Sequence, residues 1–155
     1  MSATTSTLRT GRLGHVGLNV TDLERSLAFY GGVLGFQVLH EGKEDGRRYA
    51  LLGRDGRLTI ALWQQADGAY APALAGLHHL ALEAGTMDDV RAAEAELKRH
   101  GVDFAYEGVV PHGEGAPSGG IFFHDPDGTR LEIYATTGAE GAAAPHATAP
   151  TCGFF

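Results

Sequence analysis

His15, His79 and Glu132 are the side chains whose types and spacing could do chemistry together. Two imidazoles and a carboxylate on one face form a donor set that holds a divalent ion and leaves positions open for substrate. The two histidines stand in a repeat. Leu13-Gly14-His15-Val16-Gly17-Leu18 reads against Leu77-His78-His79-Leu80-Ala81-Leu82, and each stretch leads to a Thr-x-x-acid helix start, Thr21 to Glu24 and Thr86 to Asp89. Glu132 lies in the apolar run Leu131-Glu132-Ile133-Tyr134. A carboxylate buried there needs a positive partner, either a bound ion or Arg130 on the same strand face. Cys152 is the only cysteine, which excludes an internal disulfide and a cysteine-built structural zinc site. The donors left are imidazole and carboxylate, which suit Fe(II), Mn, Ni or a catalytic Zn.

The elements that must position these groups come in two runs of βαβββ, an α+β pattern. In the first, Leu13 to Val20 alternates as a strand with His15, Gly17 and Asn19 on one face. Thr21 is expected to cap the helix that follows, with Leu23, Leu27, Tyr30 and Leu34 as its buried stripe. Strands are predicted at Phe36 to His40, Arg48 to Leu52 and Leu58 to Trp63. In the second run the strand is Leu77 to Glu83 and the helix Met87 to His100, with Val90, Ala93 and Leu97 inward. A strand at Val102 to Tyr106 follows, then an irregular loop from Gly108 to Gly120 that carries His112. Ile121 to His124 and Arg130 to Tyr134 close the run around the turn Asp125-Pro126-Asp127-Gly128. One domain is therefore expected over residues 12–137, made of module one (12–65), a linker (66–76) and module two (77–137). Residues 1–11 and 138–155 read as flexible termini, the latter because Ala, Gly, Thr and Pro bury little apolar surface. The closing Cys152-Gly153-Phe154-Phe155 carries two aromatics that could dock.

Composition narrows the function classes. With 155 residues, 43% hydrophobic and 20% charged, the chain is that of a globular protein. A formal charge of −7 argues against nucleic acid or an anionic membrane surface as partner. No apolar run spans a bilayer and residues 1–10 lack a signal-peptide core, so a cytoplasmic location is expected.

Three stretches together resemble the vicinal oxygen chelate superfamily, which includes glyoxalase I, bleomycin and fosfomycin resistance proteins and extradiol dioxygenases. They are Gly14 to Leu23 running on to Phe29-Tyr30 and Leu34-Gly35-Phe36, then Leu77 to Leu82, then Phe122 to Glu132. The resemblance implies paired βαβββ modules whose sheets curl around a shared cavity, and a homodimer. It also implies metal ligands at His15, His79 and Glu132, with Thr59 matching Glu132 in module one, where a fourth ligand is thus missing. His112, followed by Ile121-Phe122, Asp125-Pro126-Asp127-Gly128 and Glu132, resembles the extradiol signature, with Phe122 where a tyrosine is expected. His112 then becomes the candidate acid/base. Trp63, Tyr134, Thr59, Phe122 and His124 are candidate substrate-binding residues, because strand parity sets Trp63 with Thr59, and Tyr134 with Glu132.

The function expected is a metal-dependent enzyme acting on a small molecule that chelates the ion through vicinal oxygens. An Fe(II) extradiol-type dioxygenase is the leading reading, with Mn, Ni or Zn as other ions. A glyoxalase-type isomerase or a fosfomycin-type transferase could use the same site. A metal-free drug-binding protein of the bleomycin-resistance kind is the non-enzymatic alternative.

Overall fold

The computed structural model describes residues 11–153. Its elements run β1 (Val16–Val20), α1 (Leu23–Leu27), β2 (Gln37–Glu44), β3 (Arg47–Arg54), β4 (Arg57–Gln64), β5 (Leu80–Glu83), α2 (Met87–Arg99), β6 (Val110–Pro111), β7 (Gly119–His124) and β8 (Arg130–Ala135). They form two four-stranded sheets ordered β1-β4-β3-β2 and β5-β8-β7-β6. In each, the first strand of the module runs parallel to the last and the others are antiparallel. The α+β duplication is therefore real down to strand order. One core serves both modules: Leu18, Leu23, Phe29 and Tyr30 from the first pack with Val90, Leu97, Phe123 and Leu131 from the second. No helix among the described residues is long and apolar enough to cross a membrane.

The first helix departs from its predicted form. Asp22, not Thr21, caps α1, accepting from Arg25 N at 3.1 Å. Thr21 is drawn away to Asp127 in module two, and Glu24 pairs with Arg48 instead of closing a capping box. The helix then widens into a π-helical segment, Ala28–Val33, through Gly31-Gly32. Widening rotates the buried face to Leu23, Ser26, Phe29 and Tyr30. The second helix is as its pattern predicts: Thr86 and Asp89 form a reciprocal capping box.

Module two differs where a strand is predicted at Val102 to Tyr106. Only an isolated bridge, Phe104 to Phe123, forms there, and the strand pairing falls later, at Val110–Pro111. Phe104 and Tyr106 are held by their rings against Phe123 and Phe122 rather than by a ladder. The tail also differs from its flexible reading. Ala139 is buried, and Thr151–Gly153 forms a 3-10 turn with Thr151 fully buried. Residues 1–10 and the Phe154-Phe155 pair considered for docking lie outside the described residues.

The turn between β7 and β8 ties the modules together. Tyr30 hydroxyl donates to Asp125 Oδ2 at 2.7 Å, and Asp125 Oδ1 accepts from the backbone of Asp127 and Thr129. Burial, then the Asp125 charge, pushes the Tyr30 hydroxyl well above its ordinary 10.0. A pKa raised on folding means the neutral phenol stabilises the fold below about pH 10 and the stabilisation is lost as pH climbs above it. Tyr30→Phe is expected to cost about 1.5–3 kcal/mol at neutral pH, the worth of a hydrogen bond to a charged group. In thermal unfolding the gap between wild type and variant then narrows above about pH 10.

Candidate functional site

His15 and His79 both sit one residue before the first strand of their module, so the repeat equivalence survives folding. Sheet register sharpens it. Gly17 pairs with Ala61 as Ala81 pairs with Glu132. The module-one position equivalent to Glu132 is therefore Ala61, not Thr59, and the counterpart of Tyr134 is Trp63. The expectation of Thr59 is corrected by two residues, because a sequence alignment of β4 and β8 cannot see the register against β1 and β5. Alanine offers no donor, so module one supplies no counterpart to the Glu132 carboxylate.

Glu132 is 2% exposed, on β8 between Ala81 of β5 and Phe122 of β7. Both its oxygens meet imidazoles. His112 Nε2 is hydrogen-bonded to Oε1, and His79 Nε2 stands 3.7 Å from Oε2. The separation is beyond a hydrogen bond. Burial is the main cause that lowers the His79 pKa, with Glu132 opposing it, so the neutral ring is favoured. His79 Nδ1 lies 2.9 Å from His78 Nδ1. A hydrogen on His79 Nδ1, donated to His78, leaves the Nε2 lone pair facing a carboxylate oxygen, an arrangement that suits a cation between them.

The backbone makes these approaches possible. The irregular loop that leaves β6 brings His112 across to β8, twenty residues away in sequence. His112 Nδ1 meets Ser118 Oγ at 2.8 Å and its N–H donates to the Ser118 carbonyl at 3.0 Å. At Gly120 a Cβ would fall 2.1 Å from the Ile133 carbonyl and against Tyr134, so glycine lets β7 close on β8 beside the site.

The other candidates divide between the two sheets. Tyr134 lies near His112, ring centroids 5.3 Å apart, with its hydroxyl donating to Glu83 at 3.2 Å. Phe122 is fully buried beside Glu132, its cross-strand partner. His124 is at the end of β7, 3.0 Å from Asp103. Thr59 and Trp63 are on the first sheet, where Trp63 stacks on Tyr49 at 4.8 Å. His15 is exposed in a shallow groove with Arg57, Thr59 and residues of β5. Among the described residues, no three His, Cys, Asp or Glu side chains of one chain are grouped to hold an ion. The sequence did not single out His78 as a partner of His79, nor Ser118 as a partner of His112.

Known proteins share this sequence pattern and fold. Residues 12–133 match the family model described as the Glyoxalase/Bleomycin resistance protein/Dioxygenase superfamily. Catechol-2,3-dioxygenase of Bacillus subtilis (strain 168) is 33% identical over 125 residues, 79% of this chain; the match spans only 41% of that protein. The glyoxylase/bleomycin resistance protein/dioxygenase domain from Frankia sp. EAN1pec superposes with a TM-score of 0.72 at 25% identity, covering 83% of this chain and 93% of that one. The fosfomycin resistance protein FosX of Listeria monocytogenes, crystallised with Mn(II) and sulfate, has a TM-score of 0.63 at 20% identity, covering 85% and 98%, and shares the fold.

Proposed function

Because the chain belongs to the glyoxalase/bleomycin resistance protein/dioxygenase superfamily, we propose that it is a divalent-metal enzyme whose centre closes between two copies. His79 and Glu132 of one copy would hold the ion together with His15 of a second copy. The carrying observation is the buried Glu132 carboxylate set between His79 and His112, while the equivalent histidine, His15, is exposed on the other sheet. Leu13, 74% exposed and two residues before His15, is an apolar side chain that a second copy would cover.

A divalent ion there supplies a Lewis-acid centre for a substrate with two adjacent oxygens. The chain's own groups do the rest. His112, whose Nε2–H donates to Glu132 and whose Nδ1 meets Ser118, is the acid/base candidate, able to give up its Nε2 proton and later recover it. Tyr134, and Trp63 from the second copy, supply flat walls of the kind an aromatic diol fits. Extradiol ring opening is the reaction this arrangement supports best. Catechol and one O₂ give a ring-opened product that keeps both oxygen atoms, so no further reductant is needed.

Metal analysis of anaerobically purified protein, with oxygen uptake on a panel of catechols, tests this reading. Bound iron with one O₂ consumed per catechol supports it. Bound Zn, Ni or Mn without oxygen uptake overturns the dioxygenase chemistry in favour of isomerase or transferase chemistry. Failure to bind any divalent ion overturns the metal centre and leaves a drug-binding protein.

A further inference from the structure

The C-terminal segment returns to the strand that carries the chain into His112. Thr151 N–H donates to the His112 carbonyl at 2.9 Å, its hydroxyl donates to the Pro111 carbonyl, and its own carbonyl accepts from Tyr106 hydroxyl at 3.2 Å. Three bonds to one fully buried threonine fix the segment at β6, immediately beside His112. The next residue, Cys152, packs on Val110 and Phe122, with Ala105 and Tyr106 at the rim. Phe122 is the β7 residue paired with Glu132, and the His112 ring stands edge-on to it at 6.4 Å. Burial and then the charge of Glu132 push the Cys152 thiol up, in keeping with its place near that carboxylate.

We propose that Thr151–Gly153 is a strap on the β6 edge in which Thr151 is a positioning residue for His112, with Cys152 covering the Val110–Phe122 side next to it. The proposal rests on the reading of Glu132 and His112 as the site. The physical reason is that His112 lies just beyond a two-residue edge strand, which alone gives its backbone little restraint. Ser118 holds the ring and its N–H; Thr151 holds the carbonyl. With both in place the imidazole keeps one orientation toward Glu132, and without the strap it loses one of two anchors.

Cys152 is the sole cysteine, so its alkylation by N-ethylmaleimide, followed by mass spectrometry on the full-length metal-free protein, reports the strap directly. Thr151→Val is expected to label at least about tenfold faster than wild type, and to shift the His112 ring-proton resonances. Thr151→Ser keeps the hydroxyl and is expected to restore both. Tyr30→Phe weakens the fold at the other junction and is expected to leave labelling unchanged. If Thr151→Val labels at the wild-type rate with His112 unmoved, the strap positions nothing. If Tyr30→Phe speeds labelling as much as Thr151→Val, the thiol reports only global stability and the proposal fails. Because these readouts need no ion, failure of the metal centre and failure of the strap are separately visible.

Discussion

Glu132→Gln is expected to lose divalent-ion binding, with affinity falling by at least about a hundredfold, roughly 3 kcal/mol. The amide keeps the shape of the side chain, so the loss isolates charge from packing. In the wild type the carboxylate is almost fully buried, and its two oxygens serve His112 and face His79. A buried anion is costly unless neutralised, and a bound cation offsets that cost while the anion provides the attraction. Titration of wild type and variant with Mn(II), followed by calorimetry, checks the expectation. The metal-free variant is expected to unfold within about 2 kcal/mol of the metal-free wild type, since the amide can still accept from His112. An unchanged Mn(II) affinity would mean that the carboxylate is a structural partner of His112 and not a ligand.

Asp127→Ala is the change expected to cost most stability. Asp127 accepts from Thr21 N–H at 3.1 Å, from the Thr21 hydroxyl and from Arg25 Nη2 at 2.6 Å. All three donors come from module one, while Asp127 is on the β7–β8 turn of module two. The aspartate is 6% exposed but the Arg25 side chain is half exposed, so solvent screens part of the ion pair. About 3 kcal/mol is expected, with a fall in Tm of roughly 6–12 °C for a chain of this size. Asp127→Asn keeps an acceptor and is expected to lose about half as much. Thr21 directly follows β1, so the same change loosens the alignment of β1, and with it His15, against module two. Differential scanning calorimetry of the three proteins reads the stability.

The repeat is what made the fold legible in the chain. Strand, capped helix and three strands recur with His15 and His79 in register, and both helices and seven of the predicted strands stand where the pattern put them. The Thr86–Asp89 capping box was readable because its two partners are three residues apart. Thr21 was misread for the opposite reason: its partner is Asp127, 106 residues away, and local spacing cannot show a competitor at that distance. The Thr59 to Ala61 shift has the same origin, since register is a property of paired strands. At the site, Glu132 stood out as an acid in an apolar strand. His112 could be suspected, but the loop that carries it is held by turns and a two-residue strand, which leave no periodicity to read. The tail was hidden by composition. Poverty in apolar side chains says nothing of backbone and hydroxyl bonds to an open sheet edge, and those hold Thr151.

A shared centre requires one ion held jointly by two copies of the chain. Mixing His15→Ala protein with Glu132→Ala protein under conditions of subunit exchange tests it most directly. Each variant alone is expected to bind no Mn(II). An equal mixture is expected to recover about a quarter of wild-type Mn(II), because half the dimers are mixed and each has one of its two centres intact. A mixture that stays empty, or His15→Ala protein that binds a full complement by itself, contradicts the shared centre.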